Sequence, residues 1–116
     1  MHFLLLSAQD TTTSNLTSSI HYLSTDNEFF NELAEEANTI SCTNISELKN
    51  GHIGEALFNE AMRKYPPVPF SPRYVVRDTT VDGYDLEAGT YVAVGPLVLH
   101  NDEKYWDKPE KFSPRR

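Results

Sequence analysis

Residues 59–70 read "NEAMRKYPPVPF". Glu60 and Arg63 stand three positions apart, so on a helix they share a face. Pro66-Pro67 end that helix, because proline has no N–H to donate and restricts the residue before it. Spacing alone leaves two readings of the pair. An exposed i,i+3 pair is worth ~0.2–0.5 kcal/mol. A buried pair holds distant segments together, and losing one member costs on the order of 3–5 kcal/mol.

Working outward, Gly51 opens the same helix, which carries Ile53, Leu57, Ala61 and Tyr65 on one face. Before it, Thr25 and Glu28 have capping-box spacing and predict the start of a second helix with Phe29, Leu33, Ala37 and Ile40 aligned. Residues 44–49 fit one short turn. Residues 2 to about 24 contain no proline or glycine and predict a long first helix. Its apolar set includes Phe3, Leu4, Leu5, Leu6, Ala8, Leu16, Ile20 and Leu23. Between them lie Ser7, Thr11, Thr12, Thr13, Ser14 and Thr17, whose hydroxyls can bond back to helix carbonyls.

Past Pro72 the pattern changes. "RYVVRDTTVDGYDLEAGTYVAVG" (73–95) is rich in β-branched and aromatic residues, with turn signals at Asp82-Gly83 and Ala88-Gly89. The tail "HNDEKYWDKPEKFSPRR" (100–116) is polar and irregular. The expected fold is mainly α with a small β-hairpin. Its segments are a first helix over 1–24, a second helix and connector over 25–50, the Glu60/Arg63 helix over 51–65, a hairpin region over 72–95 and a loop segment over 96–116.

Composition narrows the function. A net charge of −7 and a pI near 4.9 argue against nucleic-acid binding and give no attraction to an anionic membrane surface. The single cysteine, Cys42, excludes an intramolecular disulfide and any multi-cysteine metal cluster. It lies in "TISCTNIS" with no basic neighbour and reads as an ordinary free thiol. The four histidines are scattered without ligand spacing. The start "MHFLLLSAQD" is neither a signal-peptide core nor a membrane span. Asn15-Leu16-Thr17 and Asn44-Ile45-Ser46 fit the glycosylation pattern by chance.

Three features remain as candidates. Asp10-Thr11-Thr12 puts a carboxylate beside hydroxyls just after an apolar run, where a buried acid can supply protons; the bland reading is a solvated helix face. Arg73, between the double-proline break and the first strand, is placed to clamp a carboxylate or phosphate, although most such arginines are simply solvated. The third is the Glu60/Arg63 pair.

In order, these pieces resemble the cytochrome P-450 family of haem-thiolate monooxygenases. Ser7-Ala8-Gln9-Asp10-Thr11-Thr12 resembles its (A/G)-G-x-(D/E)-T-(T/S) signature, and "EAMRKYPPVP" its E-x-x-R helix with a proline break. "VDGYDLEAGTYV" resembles its D-G-Y hairpin, and "LHNDEKYWDKPEKFSPRR" its H-R-D-P…W-x-x-P-x-x-F-x-P-x-R segment. The matches span essentially the whole chain.

The resemblance implies a partial fold of that family, running from the central oxygen-binding helix to the segment before the haem-ligand cysteine loop. It implies catalytic roles for Thr11, the hydroxyl beside bound dioxygen, and Asp10, the proton-relaying acid. Glu60, Arg63 and Arg116 correspond to a buried structural triad. Arg73 corresponds to a cofactor-binding residue that pairs with a haem propionate, and Val68, Phe70 and Ser71 to the substrate pocket. The implied cofactor is haem b with its iron. The implied partners are a small hydrophobic organic substrate, O2 and an electron-donating reductase or ferredoxin, with no nucleic acid.

Departures accompany the matches. Ser7 and Ala8 replace the small-Gly pair, and Asn101 and Glu103 replace parts of H-R-D-P. The cysteine loop is absent and Cys42 does not substitute, so no residue here is expected to ligate the metal. The chain alone is then expected to bind no haem, to be inactive, and to fold poorly without the layers that cover its first helix. Its tail looks more like the membrane-associated, endoplasmic-reticulum type of parent than the soluble bacterial type. A different expectation is a non-catalytic remnant that binds a hydrophobic ligand or a partner.

Overall fold

The computed structural model describes residues 2–41, 43 and 45–116, with side chains from residue 7 onward except that of Ile45. The readings of Cys42 and of the Asn44 site lie outside the described residues. The order is α1 (His2–Leu23), α2 (Asn27–Thr39), α3 (Ile45–Leu48), α4 (His52–Lys64), β1 (Ser71–Tyr74), β2 (Thr79–Val81), β3 (Tyr84–Leu86), β4 (Tyr91–Val94) and α5 (Pro96–Leu99).

Along α1 some hydroxyls bond back, Thr11 as expected and Ser19 from outside the expected set. Thr11 Oγ1 donates to the Ser7 carbonyl at 2.8 Å, and Ser19 Oγ to that of Asn15 at 2.9 Å. At its end Ser24 and Thr25 donate to the carbonyls of His21 and Tyr22. Thr25 therefore closes α1 and does not open α2. Asp26 is the N-cap of α2, accepting from Phe29 N at 2.9 Å. With the Thr25 hydroxyl already committed, the carboxylate next door takes the positive helix end.

The core lies where α4 packs against α1 and α2. Phe29, Leu57 and Ala61 are buried there, but so are Asn15, Ser19, Glu60 and Arg63. Among the described side chains of α1, Leu16 and Ile20 of the expected apolar set are exposed at 46% and 65%, while the buried ones, Asn15 and Ser19, are polar. Tyr65, expected on the buried face of α4, is exposed beyond the last helical turn.

The single expected hairpin is two nested ladders. β1 pairs antiparallel with β4, Ser71 opposite Val94 and Tyr74 opposite Tyr91. Inside it β2 pairs with β3. Asp82 and Gly83, at φ 49° and 82°, make the two-residue turn, whose left-handed backbone suits an Asp-Gly dipeptide. Between the ladders Asp78 Oδ1 accepts from Ala88 N at 2.7 Å and Gly89 turns at φ 94°, which interrupts the pairing. The one-turn α5 opens the segment 96–116, expected as loop; four residues are too few to carry a helical period.

The molecule is spread out. Its radius of gyration is 18.6 Å and its extents are 56 × 41 × 24 Å, against about 13 Å expected for a compact chain of this length. Among the described residues no helix is long and apolar enough to cross a membrane.

Candidate functional site

Glu60 and Arg63 lie on the last two turns of α4, 4% and 3% exposed. The buried reading of the pair is correct. Arg63 Nε meets Glu60 Oε2 at 2.7 Å and Nη2 meets Oε1 at 2.8 Å, a bidentate fork. The remaining guanidinium donors go to backbone: Nη1 to the His100 and Pro109 carbonyls at 2.7 and 3.1 Å, and Nη2 to those of Pro109 and Lys111 at 3.1 and 3.0 Å. The guanidinium carbon lies 5.1 Å from the Trp106 ring centroid, close enough for a cation–π contact.

Arg116 completes the group. Its Nε reaches Glu60 Oε1 at 3.2 Å, and its Nη groups donate to the Asp107, Lys108 and Lys111 carbonyls. Ser113 N adds a further hydrogen bond to Glu60 at 2.8 Å. Burial pushes the Glu60 carboxyl up, but Arg63, Ser113 N and Arg116 outweigh it and hold it below the usual glutamate range. The cluster joins α4 to the tail: the Arg63–Glu60 pair is matched charge for charge, and the other donors of Arg63 and Arg116 end on carbonyls, the condition for a buried ion pair to persist.

The other candidates lie apart from this cluster. Asp10 and Thr11 are exposed on α1, so the acid is not buried as its apolar neighbours suggested. Thr11 keeps oxygen lone pairs free beyond its bond to Ser7. Arg73 is exposed on β1, where Nη1 donates to Ser71 Oγ at 2.7 Å and to the Pro72 carbonyl at 2.9 Å. Arg73 and Ser71 are thus brought together, and the rest of the guanidinium faces outward without a carboxylate against it among the described residues. Val68 and Phe70 are about half exposed. The Phe70 ring crosses Gly95 so closely that a Cβ there would stand 3.1 Å from Cε1.

Several partners were not anticipated. The carbonyls that receive Arg63 have no sequence signature, because any residue supplies one. Lys64 Nζ meets Asn101 Oδ1 at 3.4 Å, at one of the departures from the H-R-D-P pattern. Phe112 stacks on Tyr22 at 3.8 Å between centroids, and Arg115 pairs with Glu32 and lies over the Phe29 ring. The aromatic spacing in "WDKPEKF" was the available signal for Trp106 and Phe112.

The family model for Cytochrome P450 matches residues 1–116. Cytochrome P450 82A1 of Pisum sativum is 34% identical over 118 residues, covering 97% of this chain and 22% of its own length. Ent-sandaracopimaradiene 3-hydroxylase of Oryza sativa subsp. japonica is 45% identical over 62 residues, 53% of this chain and 12% of its own length. A zebra fish cytochrome P450 solved with progesterone superposes with a TM-score of 0.83 at 28% identity, over 91% of this chain and 26% of that one. The chain spans about a fifth of the length of the curated relatives it matches end to end.

Proposed function

The chain belongs to the cytochrome P450 family, and from that premise we propose that it forms part of a haem-dependent monooxygenase. The reaction inserts one atom of O2 into a small hydrophobic organic substrate, with electrons from a reductase or ferredoxin. The observation that carries the reading is the buried Glu60–Arg63–Arg116 cluster, in a chain whose relatives include a protein named as a hydroxylase.

Haem supplies the activation of O2 when bound. The outward guanidinium of Arg73 fits a propionate, since donors beyond its bonds to Ser71 and Pro72 are open. The apolar surfaces of Val68 and Phe70 on the same segment form a wall for the substrate, with Ser71 as its polar contact. On α1, the Thr11 hydroxyl accepts a hydrogen bond on its free lone pair while donating to Ser7, and Asp10 beside it is the acid–base group through which a proton would pass. The cluster on α4 touches neither substrate nor oxygen; it fixes the tail. Cys42 is not the iron ligand, since it falls between α2 and α4 without a glycine-rich loop.

In the protein as its cell makes it, Thr11→Ala should raise the peroxide released per reductant consumed and lower product. An unchanged ratio of product to reductant refutes the role of Thr11. With added haem, reduced under carbon monoxide, the 116-residue chain should give no thiolate-type Soret band. A band that disappears in Cys42→Ser overturns the exclusion of that cysteine.

A second reading rests on the groove between α2 and α4, about 680 Å³ and lined by Leu33, Ala37, Ile40, Leu48 and Phe58. It suits a hydrophobic ligand bound without chemistry. A natural product with no haem absorbance that binds an apolar fluorophore there favours this reading.

A further inference from the structure

Helix α4 starts at Gly51, an N-cap with no side chain to accept a hydrogen bond. Its first amides are nonetheless satisfied. Gly51 N donates to the Leu48 carbonyl at 3.2 Å and His52 N to that of Asn50 at 3.0 Å. The next two turn to another helix: Ile53 N lies 2.9 and 3.0 Å from the two carboxylate oxygens of Glu36, and Gly54 N lies 3.1 Å from Oε2. These are the second and third helical positions, the amides that an N-cap oxygen ordinarily serves.

We infer that Glu36, on α2, is the N-cap of α4 supplied from outside the helix, and that it is the positioning residue for the helix carrying Glu60 and Arg63. The inference rests on the backbone amides and holds whichever function the chain performs. Glu36 places a full negative charge at the positive end of a 13-residue helix and ties α2 to it at that point. Glycine at 51 fits the arrangement. A Cβ there would lie 3.4 Å from Ile40 Cδ1 and the Leu48 carbonyl and 3.7 Å from Glu36 Oε2. A longer acidic side chain at 51 would therefore enter the space of the Glu36 carboxylate. The other charged or titratable groups around it are His52 and Glu55 on α4 and Lys49 on the connector. Partial burial pushes the Glu36 carboxyl up, but the amides of Ile53, Gly54 and His52 outweigh it and hold it below the usual range.

The test is a four-member cycle of wild type, Glu36→Ala, Gly51→Asp and the double variant, read by amide hydrogen exchange at Ile53 and Gly54. Glu36→Ala should speed exchange at both amides by roughly five- to tenfold, the loss of one helix cap. Gly51→Asp should add no protection while Glu36 is present, because two carboxylates then crowd one helix end. In the Glu36→Ala background the same substitution should restore protection, since the local cap takes over. If Glu36→Ala unfolds the chain, the double variant should refold it. Equal effects of Gly51→Asp with and without Glu36 overturn the inference, as does unchanged exchange in Glu36→Ala or a double variant that stays unfolded. In the wild type, the Ile53 and Gly54 amide shifts should titrate together with the Glu36 carboxylate, below the ordinary glutamate midpoint. Titration independent of that carboxylate also overturns it.

Discussion

Truncating Arg63 to alanine removes the centre of the buried cluster. Glu60, 4% exposed, would keep only Ser113 N and the more exposed Arg116, and the carbonyls of His100, Pro109 and Lys111 would lose a donor. Breaking a buried pair by removing one partner costs about 3–5 kcal/mol, a large share of the ~5–15 kcal/mol that keeps a domain folded. Urea unfolding reads this loss through the fluorescence of Trp106, the single tryptophan, whose ring stacks under the same guanidinium. The midpoint should fall by more than about 1 M. Arg63→Lys should fall in between, because lysine keeps the charge and loses the fork. A loss below about 1 kcal/mol for Arg63→Ala would mean that the pair behaves as a solvated one, and the reasoning from burial fails.

Acid should destabilise the fold through the same cluster. The folded Glu60 carboxyl lies below its unfolded value of about 4.3. Its contribution is therefore complete above that pH and disappears as the pH falls through the folded value. Unfolding midpoints measured from pH 7 downward should hold to about pH 5 and then drop, less steeply in Glu60→Gln; a midpoint that rises on acidification contradicts the sign. Phe112→Ala, which removes the stack on Tyr22, should cost about 2 kcal/mol by urea titration. Arg115→Ala, at an exposed ion pair, should cost far less, and the opposite order would show that the tail is held by charge. Expressed through a secretory host, the chain should carry no glycan at Asn15, which is 2% exposed within α1. A mass shift abolished by Thr17→Ala would show that this side of α1 opens.

The long elements were legible because they repeat a period or carry a breaker. The double proline ended α4, and Asp82-Gly83 marked the inner turn. What failed was local competition. Thr25 had the right spacing for a cap, but its hydroxyl went to the Tyr22 carbonyl and Asp26 took the position. The outer ladder of β1 and β4 escaped notice because pairing across an intervening hairpin leaves no periodic trace. At the site, the charged triad was readable from spacing and resemblance together, while its depth was not, since burial depends on what packs around the helix. Glu36 carries no signal in the sequence, and only the position of α4 reveals what it binds.

The way Arg63 spends its donors has a consequence for sequence drift. Outside Glu60, every hydrogen bond it makes ends on a main-chain oxygen, at His100, Pro109 and Lys111. Such a guanidinium acts as a mould for the path of the chain and is blind to the side chains attached. Substitutions along 100–111 that preserve the path leave all these bonds intact, as Asn101 and Glu103 illustrate. An insertion or deletion of one residue would shift the oxygens out of register. That stretch should therefore tolerate many replacements of residue and few changes of length.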